Sequence, residues 1–444
     1  MERERLGSRL GFILLSAGCA IGCGNVWKFP WMVGKNGGGA FVLVYIACLL
    51  LLGLPAMTME FALGRAAQAS PVRMFDKLEK KGQYWHIHGR IALIGNICLM
   101  AFYTVVTGWM IYYFVSFVTG KYEDLGFGAM ISNPTVNVTY LAIAVLVGFA
   151  ILTMQLQGGL ERITKYMMTL LLVLMLILAI KNGTLEGAVE GYKFYLVPDF
   201  SKIDRSVIVA AMNQAFFTLS VGMGSMAIFG SYIEKDHSLL GESVNVILLD
   251  SFVAIMAGLI IFPACASFNL EVGAGPSLLF DTMAEVFRHM NGGRIWGSLF
   301  FLFMVFAAFS TELAVCETIL ACVRELTGWS RKKGCLICGI IVFGLALTTA
   351  LGYSVWQFHP FGPDTAWLDF WDFIVSTNIL PLGSLLIAVF CTNKRFGWGW
   401  DNFVAEANQG KGLKIKNWMK PIFTIIVPIA IIVIYLIGIV GFFG

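Results

Sequence analysis

Residues 14–41 read LLSAGCAIGCGNVWKFPWMVGKNGGGAF. The stretch is long and apolar enough to enter a bilayer, yet Gly18, Gly22, Gly24, Asn25, Lys28 and Pro30 interrupt its middle. Polar groups at membrane depth are costly unless something satisfies them, and unwound backbone is tolerated there only where it lines a cavity or holds a ligand. Gly18 and Gly22 form a GxxxG spacing, which close helix packing alone accounts for. Packing does not account for Asn25 and Lys28, so a bound ligand explains the segment better.

The rest of the chain fits a membrane setting. Its 444 residues are 58% hydrophobic and 13% charged, with a mean hydropathy of +0.78, well outside the soluble globular range. Apolar stretches of the roughly 20 residues that cross a ~30 Å hydrocarbon layer occur near 11–33, 40–66, 89–119, 136–156, 163–181, 206–232, 242–268, 295–323, 335–353, 370–391 and 421–443, eleven candidate spans. The opening MERERLGSRL leads into a span too long for a signal-peptide core and lacks a cleavage site, so span 1 is expected to be retained. With the N-terminus inside, 22 of the 31 Lys and Arg residues lie on the inner side. The positive-inside bias therefore predicts a plasma (inner) membrane protein with a cytoplasmic N-terminus and an outside C-terminus. The net charge of +4 follows from that bias and suggests no nucleic acid partner.

A single membrane domain is expected over residues 1–444. The ten cysteines lie mostly inside or at the ends of spans, where cysteine acts as a small apolar residue. Cys335 and Cys338 form a CxxC without a second pair, and His86–His88 sit in a basic loop expected to be solvated, so neither reads as a metal site. No nucleophile–base–acid constellation is present, so an enzyme is not expected. The segment GAGPSLLFDTMAEVFRHM (273–290) reads either as a short helical hairpin over an outer opening or as an ordinary structured loop.

A second interruption lies five spans on. In NQAFFTLSVGMGSMAIFGSY (213–232), Ser220, Gly222, Gly224 and Ser225 break span 6 at mid-depth. Two broken helices in corresponding positions of two five-helix halves point to a transporter built from inverted repeats, with its site at the midplane. Repeat one is expected over about 9–182, repeat two over about 205–392, and an extra helix over about 420–443. Unwound backbone offers carbonyls to a hard cation and free N–H groups to a carboxylate. Thr218, Ser220, Asp250, Ser310 and Thr311 supply further oxygens from spans 6, 7 and 8.

Together with RLGFILLSAGCAIGCGNVWKFPWMVGKNGGGAF (9–41), the motifs GLPAMTMEFALGR (53–65), QAFFTLSVGMGSMAIFGSY (214–232) and FAAFSTELAVCE (306–317) resemble the neurotransmitter:sodium symporters. The resemblance spans about residues 3–392. It implies an all-α integral membrane protein of the LeuT fold: a 5+5 inverted repeat with broken helices 1 and 6, plus an eleventh helix. Eleven spans and the GMG of span 6 make the chain most similar to the bacterial hydrophobic amino acid transporters of the MhsT and tyrosine transporter type. Na⁺-driven amino acid uptake by alternating access is what the resemblance implies.

Carried over by motif, one Na⁺ site uses the carbonyl of Ala20, Asn25, Thr218, Asp250 and the substrate carboxylate. The other uses the carbonyls of Gly18, Ile21 and Ala307 with the hydroxyls of Ser310 and Thr311. The substrate carboxylate is expected at the N–H groups of Cys23 and Gly24 and the Tyr103 hydroxyl. Its amino group is expected at the carbonyls of Ala20, Phe217, Thr218 and Ser220. The side chain is expected among Leu99, Tyr103, Phe217, Ser220, Met223, Thr311 and Val315, a set without acid or base that suits apolar and aromatic substrates. Lys28 with Asp372 or Asp369 is expected as the outer gate, and Arg3 and Glu325 near Tyr232 as the inner one.

Three departures from the family pattern stand out. Lys28 replaces the usual Arg and lacks its planar fork, so a weaker or water-mediated outer pair is expected. Asp250 replaces an Asn while Ala254 replaces the Ser or Glu of relatives, which predicts transport without chloride. In span 5, Gly159 is followed by Thr169 where relatives carry Pro. Glu60 matches a family acid and is expected to be a buried, hydrogen-bonded structural group. A sensor, a channel or a symporter for small polar amino acids is the competing reading; a channel calls for a continuous polar stripe, which is absent here. A monomer or weak homodimer is expected.

Overall fold

The computed structural model describes residues 6–270, 277–363 and 365–443. Among these, nine unbroken helices are long and apolar enough to cross a membrane. They are span 2 (Gly39–Ala67), span 3 (His86–Thr119), span 4 (Pro134–Leu152), span 5 (Leu156–Gly183), span 7 (Leu239–Ser267), span 8 (Gly293–Thr327), span 9 (Arg331–Leu351), span 10 (Trp367–Thr392) and span 11 (Asn417–Val440). Span 1 is a pair, Arg9–Ala20 and Gly24–Lys35, bent by 51°. Span 6 is likewise split into Arg205–Leu219 and Ser225–Gly230. Counting the bent pair as one, ten of the eleven expected spans are helical segments long and apolar enough to cross, while span 6 is present as two shorter helices; the breaks fall where polar and glycine residues interrupt the apolar pattern.

The breaks have local causes. The first half of span 1 is started by Ser8, whose hydroxyl accepts from the Gly11 N–H at 3.0 Å, and it ends where Ile21 adopts an extended ψ of 95°. In span 6, Ser220, Gly222 and Gly224 all have positive φ, at 51°, 103° and 75°. Glycine adopts that region without strain, and no helix continues through it.

Spans 3 and 8 form the centre, with 78% and 83% of their apolar windows buried, whereas span 11 is peripheral at 17%. The first half of span 1 and the second half of span 6 pack against span 8, and the second half of span 1 meets the first half of span 6, so the two interruptions lie beside each other. The described part of the 273–290 segment is one helix over Leu278–His289. It presses Phe280 onto Phe127, ring centroids 5.0 Å apart, and edge-on to Trp109. His88 departs from expectation: it is buried edge-on against Phe75, 5.2 Å between centroids, rather than solvated, because the loop helix Pro71–Leu78 folds back over the start of span 3.

Candidate functional site

Between the two breaks lies a small cavity of about 10 Å³, room for at most one water. Of the expected pocket residues, Leu99, Tyr103, Phe217, Ser220, Met223 and Thr311 line it, as do the Ala20 and Gly24 segments of span 1. Val315 does not line it, although it is fully buried one turn along span 8 from Thr311. Leu380 of span 10 lines it and was not expected; nothing in its apolar sequence context distinguishes it. No side chain facing the cavity carries a formal charge.

The backbone of span 1 comes within reach of its neighbours because Gly22 has no side chain. A Cβ there would fall 2.2 Å from Thr311 Oγ1 and 2.3 Å from Tyr103 Oη. With that approach allowed, the Cys23 N–H donates to Tyr103 Oη at 3.0 Å. Gln214 adds a further tie by donating to the Gly24 carbonyl at 2.7 Å.

Two sets of oxygens flank the cavity. In the first, the Asn25 amide nitrogen donates to the main-chain and side-chain oxygens of Asp250 at 3.0 and 2.8 Å. Thr218 Oγ1 donates to the same Asp250 Oδ1 at 3.2 Å. Asp250 Oδ2 is buried and makes no hydrogen bond, an unfilled acceptor that suits a cation. In the second set, the Ser310 hydroxyl lies 3.0 Å from the Ile21 carbonyl and 2.9 Å from that of Ala307. The Thr311 hydroxyl lies 3.1 Å from the Gly18 carbonyl and 3.3 Å from that of Ile21. Five oxygens from spans 1 and 8 thus converge, joined by the two hydroxyl protons, a set of hard donors able to hold a cation.

Glu60 reaches from span 2 into the gap of span 6. Its carboxylate accepts from the N–H groups of Gly222, Gly224 and Met226, the last two at 3.4 and 3.1 Å. From span 3, Asn96 donates to the Met223 carbonyl at 2.9 Å and accepts from the Ser225 hydroxyl at 2.9 Å. Glu312, beside Thr311, was passed over in the sequence; it is buried against Gly148 of span 4, and neither carboxylate oxygen makes a hydrogen bond.

At one mouth, Lys28 Nζ stands 3.0 Å from each carboxylate oxygen of Asp372 and 4.1 Å above the Phe217 ring. The contact is direct, which leaves a weaker pair, rather than a water-mediated one, of the two expected alternatives. Asp369 caps the start of span 10 instead, accepting from the Ala366 N–H at 2.7 Å. At the other end, Tyr232 donates to Glu317 at 3.2 Å, and Glu317 pairs with Arg331 at 2.6 Å. Glu325 accepts from the Ser70 N–H at 3.0 Å and from its hydroxyl at 2.7 Å. Arg3 lies outside the described residues. An unanticipated tie joins spans 1 and 5 here: Glu161 accepts from the Gly7 N–H at 2.8 Å and the Ser8 hydroxyl at 3.2 Å. Span 5 runs as a helix through Thr169, whose hydroxyl donates to the Lys165 carbonyl at 2.9 Å.

The sequence profile of the sodium:neurotransmitter symporter family matches residues 3–129 and 124–443. The chain is 34% identical over 453 residues to YhdH, an uncharacterised sodium-dependent transporter of Bacillus subtilis, with 98% of each chain covered. It is 25% identical over 501 residues to the sodium-dependent serotonin transporter of Drosophila melanogaster, covering 99% of this chain and 77% of that one. Its structure resembles the crystal structure of MhsT in complex with L-phenylalanine, with a TM-score of 0.90, 36% identity, and 98% and 100% of the two chains covered. The chain belongs to the sodium:neurotransmitter symporter family and is a multi-pass, sodium-dependent membrane transporter of the LeuT fold.

Proposed function

We propose that this transporter carries hydrophobic and aromatic L-amino acids inward with Na⁺, and does so without chloride. The observation that supports this most is the uncharged cavity between the helix breaks, walled by Leu99, Tyr103, Phe217 and Met223. The substrate carboxylate would meet the N–H groups of Cys23 and Gly24 and the Tyr103 hydroxyl, and its amino group the carbonyls of Ala20, Phe217, Thr218 and Ser220. The relative MhsT was solved with L-phenylalanine, a ligand of this class.

Two Na⁺ ions are assigned. One takes Ala20, Asn25, Thr218, Asp250 and the substrate carboxylate, so that ion and substrate bind as a unit. The other takes Gly18, Ile21, Ala307, Ser310 and Thr311 and holds the first half of span 1 against span 8, so its departure would release the inner gate. A fixed carboxylate at Asp250 supplies the negative charge that a chloride would otherwise bring, and the buried Ala254 offers no hydroxyl to an anion. Lys28 with Asp372 would close the outer path above Phe217. Arg3, Glu325 and Tyr232 would belong to the inner closure, in an inner membrane with the N-terminus cytoplasmic and the C-terminus outside. The transporter would act as a monomer or weak homodimer.

The test is binding of labelled tryptophan and leucine to the purified protein in Na⁺ and in K⁺, each with and without chloride. Binding that requires Na⁺ and ignores chloride is expected. A chloride requirement would remove the role given to Asp250, and no binding of either ligand would remove the substrate class.

A further inference from the structure

We infer that the groove between spans 4 and 9 binds an anionic phospholipid. The groove has a volume of about 460 Å³, and its walls include Val145, Leu146 and Phe149 of span 4 and Leu336, Ile340 and Phe343 of span 9. Leu146, Leu336 and Ile340 are 69%, 66% and 63% exposed, so the groove opens outward to the surrounding bilayer rather than into the transport path. Gly339 sets its depth: a Cβ there would press on Phe149 Cδ2 at 3.3 Å, and any larger side chain would fill the floor.

Length and charge identify the occupant. The lining runs from residue 142 to residue 153 along span 4 and from residue 332 to residue 343 along span 9. At 1.5 Å per residue each wall is about 16 Å long, half of a ~30 Å hydrocarbon layer, so the groove matches one leaflet. Its apolar end stops near the midplane, as an acyl chain does. Its other end carries Thr153 and Lys332, and no acid lines any part of it. Among the described residues Lys332 forms no salt bridge. Its neighbours are engaged: Arg331 with Glu317 and the Leu152 carbonyl, and Lys333 with the Trp329 ring at 4.9 Å. One ammonium at headgroup level above an apolar slot of leaflet length is the arrangement that selects a lipid of net negative headgroup over a zwitterionic one. Calling this the inner leaflet rests on the topology proposed above; the binding itself does not.

The test uses the purified full-length protein in detergent micelles, which have no sides, titrated with phosphatidylglycerol or phosphatidylcholine while retained lipid is counted by native mass spectrometry. Phosphatidylglycerol is expected to bind about fivefold more tightly, the weight of one lysine at an anionic headgroup. Lys332→Glu should abolish that preference, and Leu146→Trp should reduce retention of both lipids. Na⁺-dependent ligand binding serves as the folding control, with Ile340→Trp as the second filling variant should Leu146→Trp misfold. Equal retention of the two lipids by the unsubstituted protein, or a preference that survives Lys332→Glu, would overturn the assignment. A dimer in light scattering that Leu146→Trp dissolves would overturn it too, giving the groove to a second copy of the chain.

Discussion

The side-chain amide of Asn25 in span 1 spans both oxygen types of Asp250 in span 7, reaching the main-chain carbonyl at 3.0 Å and the carboxylate at 2.8 Å. With the amide nitrogen so engaged, Asn25 Oδ1 turns inward and accepts from the Gly22 N–H at 3.2 Å. The pair therefore fixes the unwound turn of span 1 beside the only formally charged group of this oxygen set.

Replacing that charge should be felt in the ion. Asp250→Asn keeps the shape and removes the charge, and the Na⁺ concentration needed for half-maximal tryptophan binding should rise about tenfold, the equivalent of ~1.4 kcal/mol. A Na⁺ midpoint that does not move would remove Asp250 from the ion site.

The Lys28–Asp372 pair is only part-buried, with side-chain exposures of 13% and 31%. Its worth is therefore modest, and loss of the charge in Asp372→Asn should speed dissociation of bound labelled substrate by no more than about fivefold. Lys28→Arg should preserve slow dissociation. If neither Asp372→Asn nor Lys28→Ala changes the chase rate, the pair does not gate the outer path.

Glu161 makes a different prediction. A Cβ on Gly11 would lie 1.9 Å from Glu161 Oε1, so Gly11→Ala must displace the carboxylate that holds Gly7 and Ser8. Gly11→Ala and Glu161→Gln should both loosen the start of span 1, raising hydrogen exchange over residues 7–12 by about an order of magnitude. Unchanged exchange in both variants would mean that other contacts hold this end closed.

Met223 tests substrate size. Its sulfur lies against Gly95, where an added Cβ would come within 2.9 Å, so the side chain has little spare room on that side and must move into or out of the cavity. Met223→Phe exchanges a flexible side chain for a rigid one and should shift selectivity from tryptophan toward leucine by about tenfold or more in competition binding. Equal loss of both ligands would place Met223 in the framework rather than in the selective wall.

Much of this was legible before any coordinates. The spans announced themselves by length and hydropathy, and the breaks by polar residues that no apolar helix tolerates. Asn25, Thr218 and Asp250 were legible because each is an oxygen-bearing group at a depth where it needs a partner. Leu380 was not, since an apolar residue in an apolar helix carries no mark of facing a cavity. Glu161 was hidden differently: at a span end a charged residue is ordinary, and only the approach of Gly11 shows what it holds. The choice between Asp369 and Asp372 turned on one helical turn, since three residues of offset decide which carboxylate caps the helix and which meets Lys28.

Glu60 has a consequence for movement. Its carboxylate takes up backbone N–H groups that a continuous span 6 would direct to its own carbonyls. The gap therefore cannot heal by rewinding without stranding that acid in the membrane. Gly64 meanwhile admits the Ala227 carbonyl where a side chain would collide with it. Span 2 and the second half of span 6 are thus riveted into one lever. The first half of span 6 rests on the same span 2, packed along residues 39–53 with Leu219 set over Gly53, so the break in the cavity wall is braced from both sides.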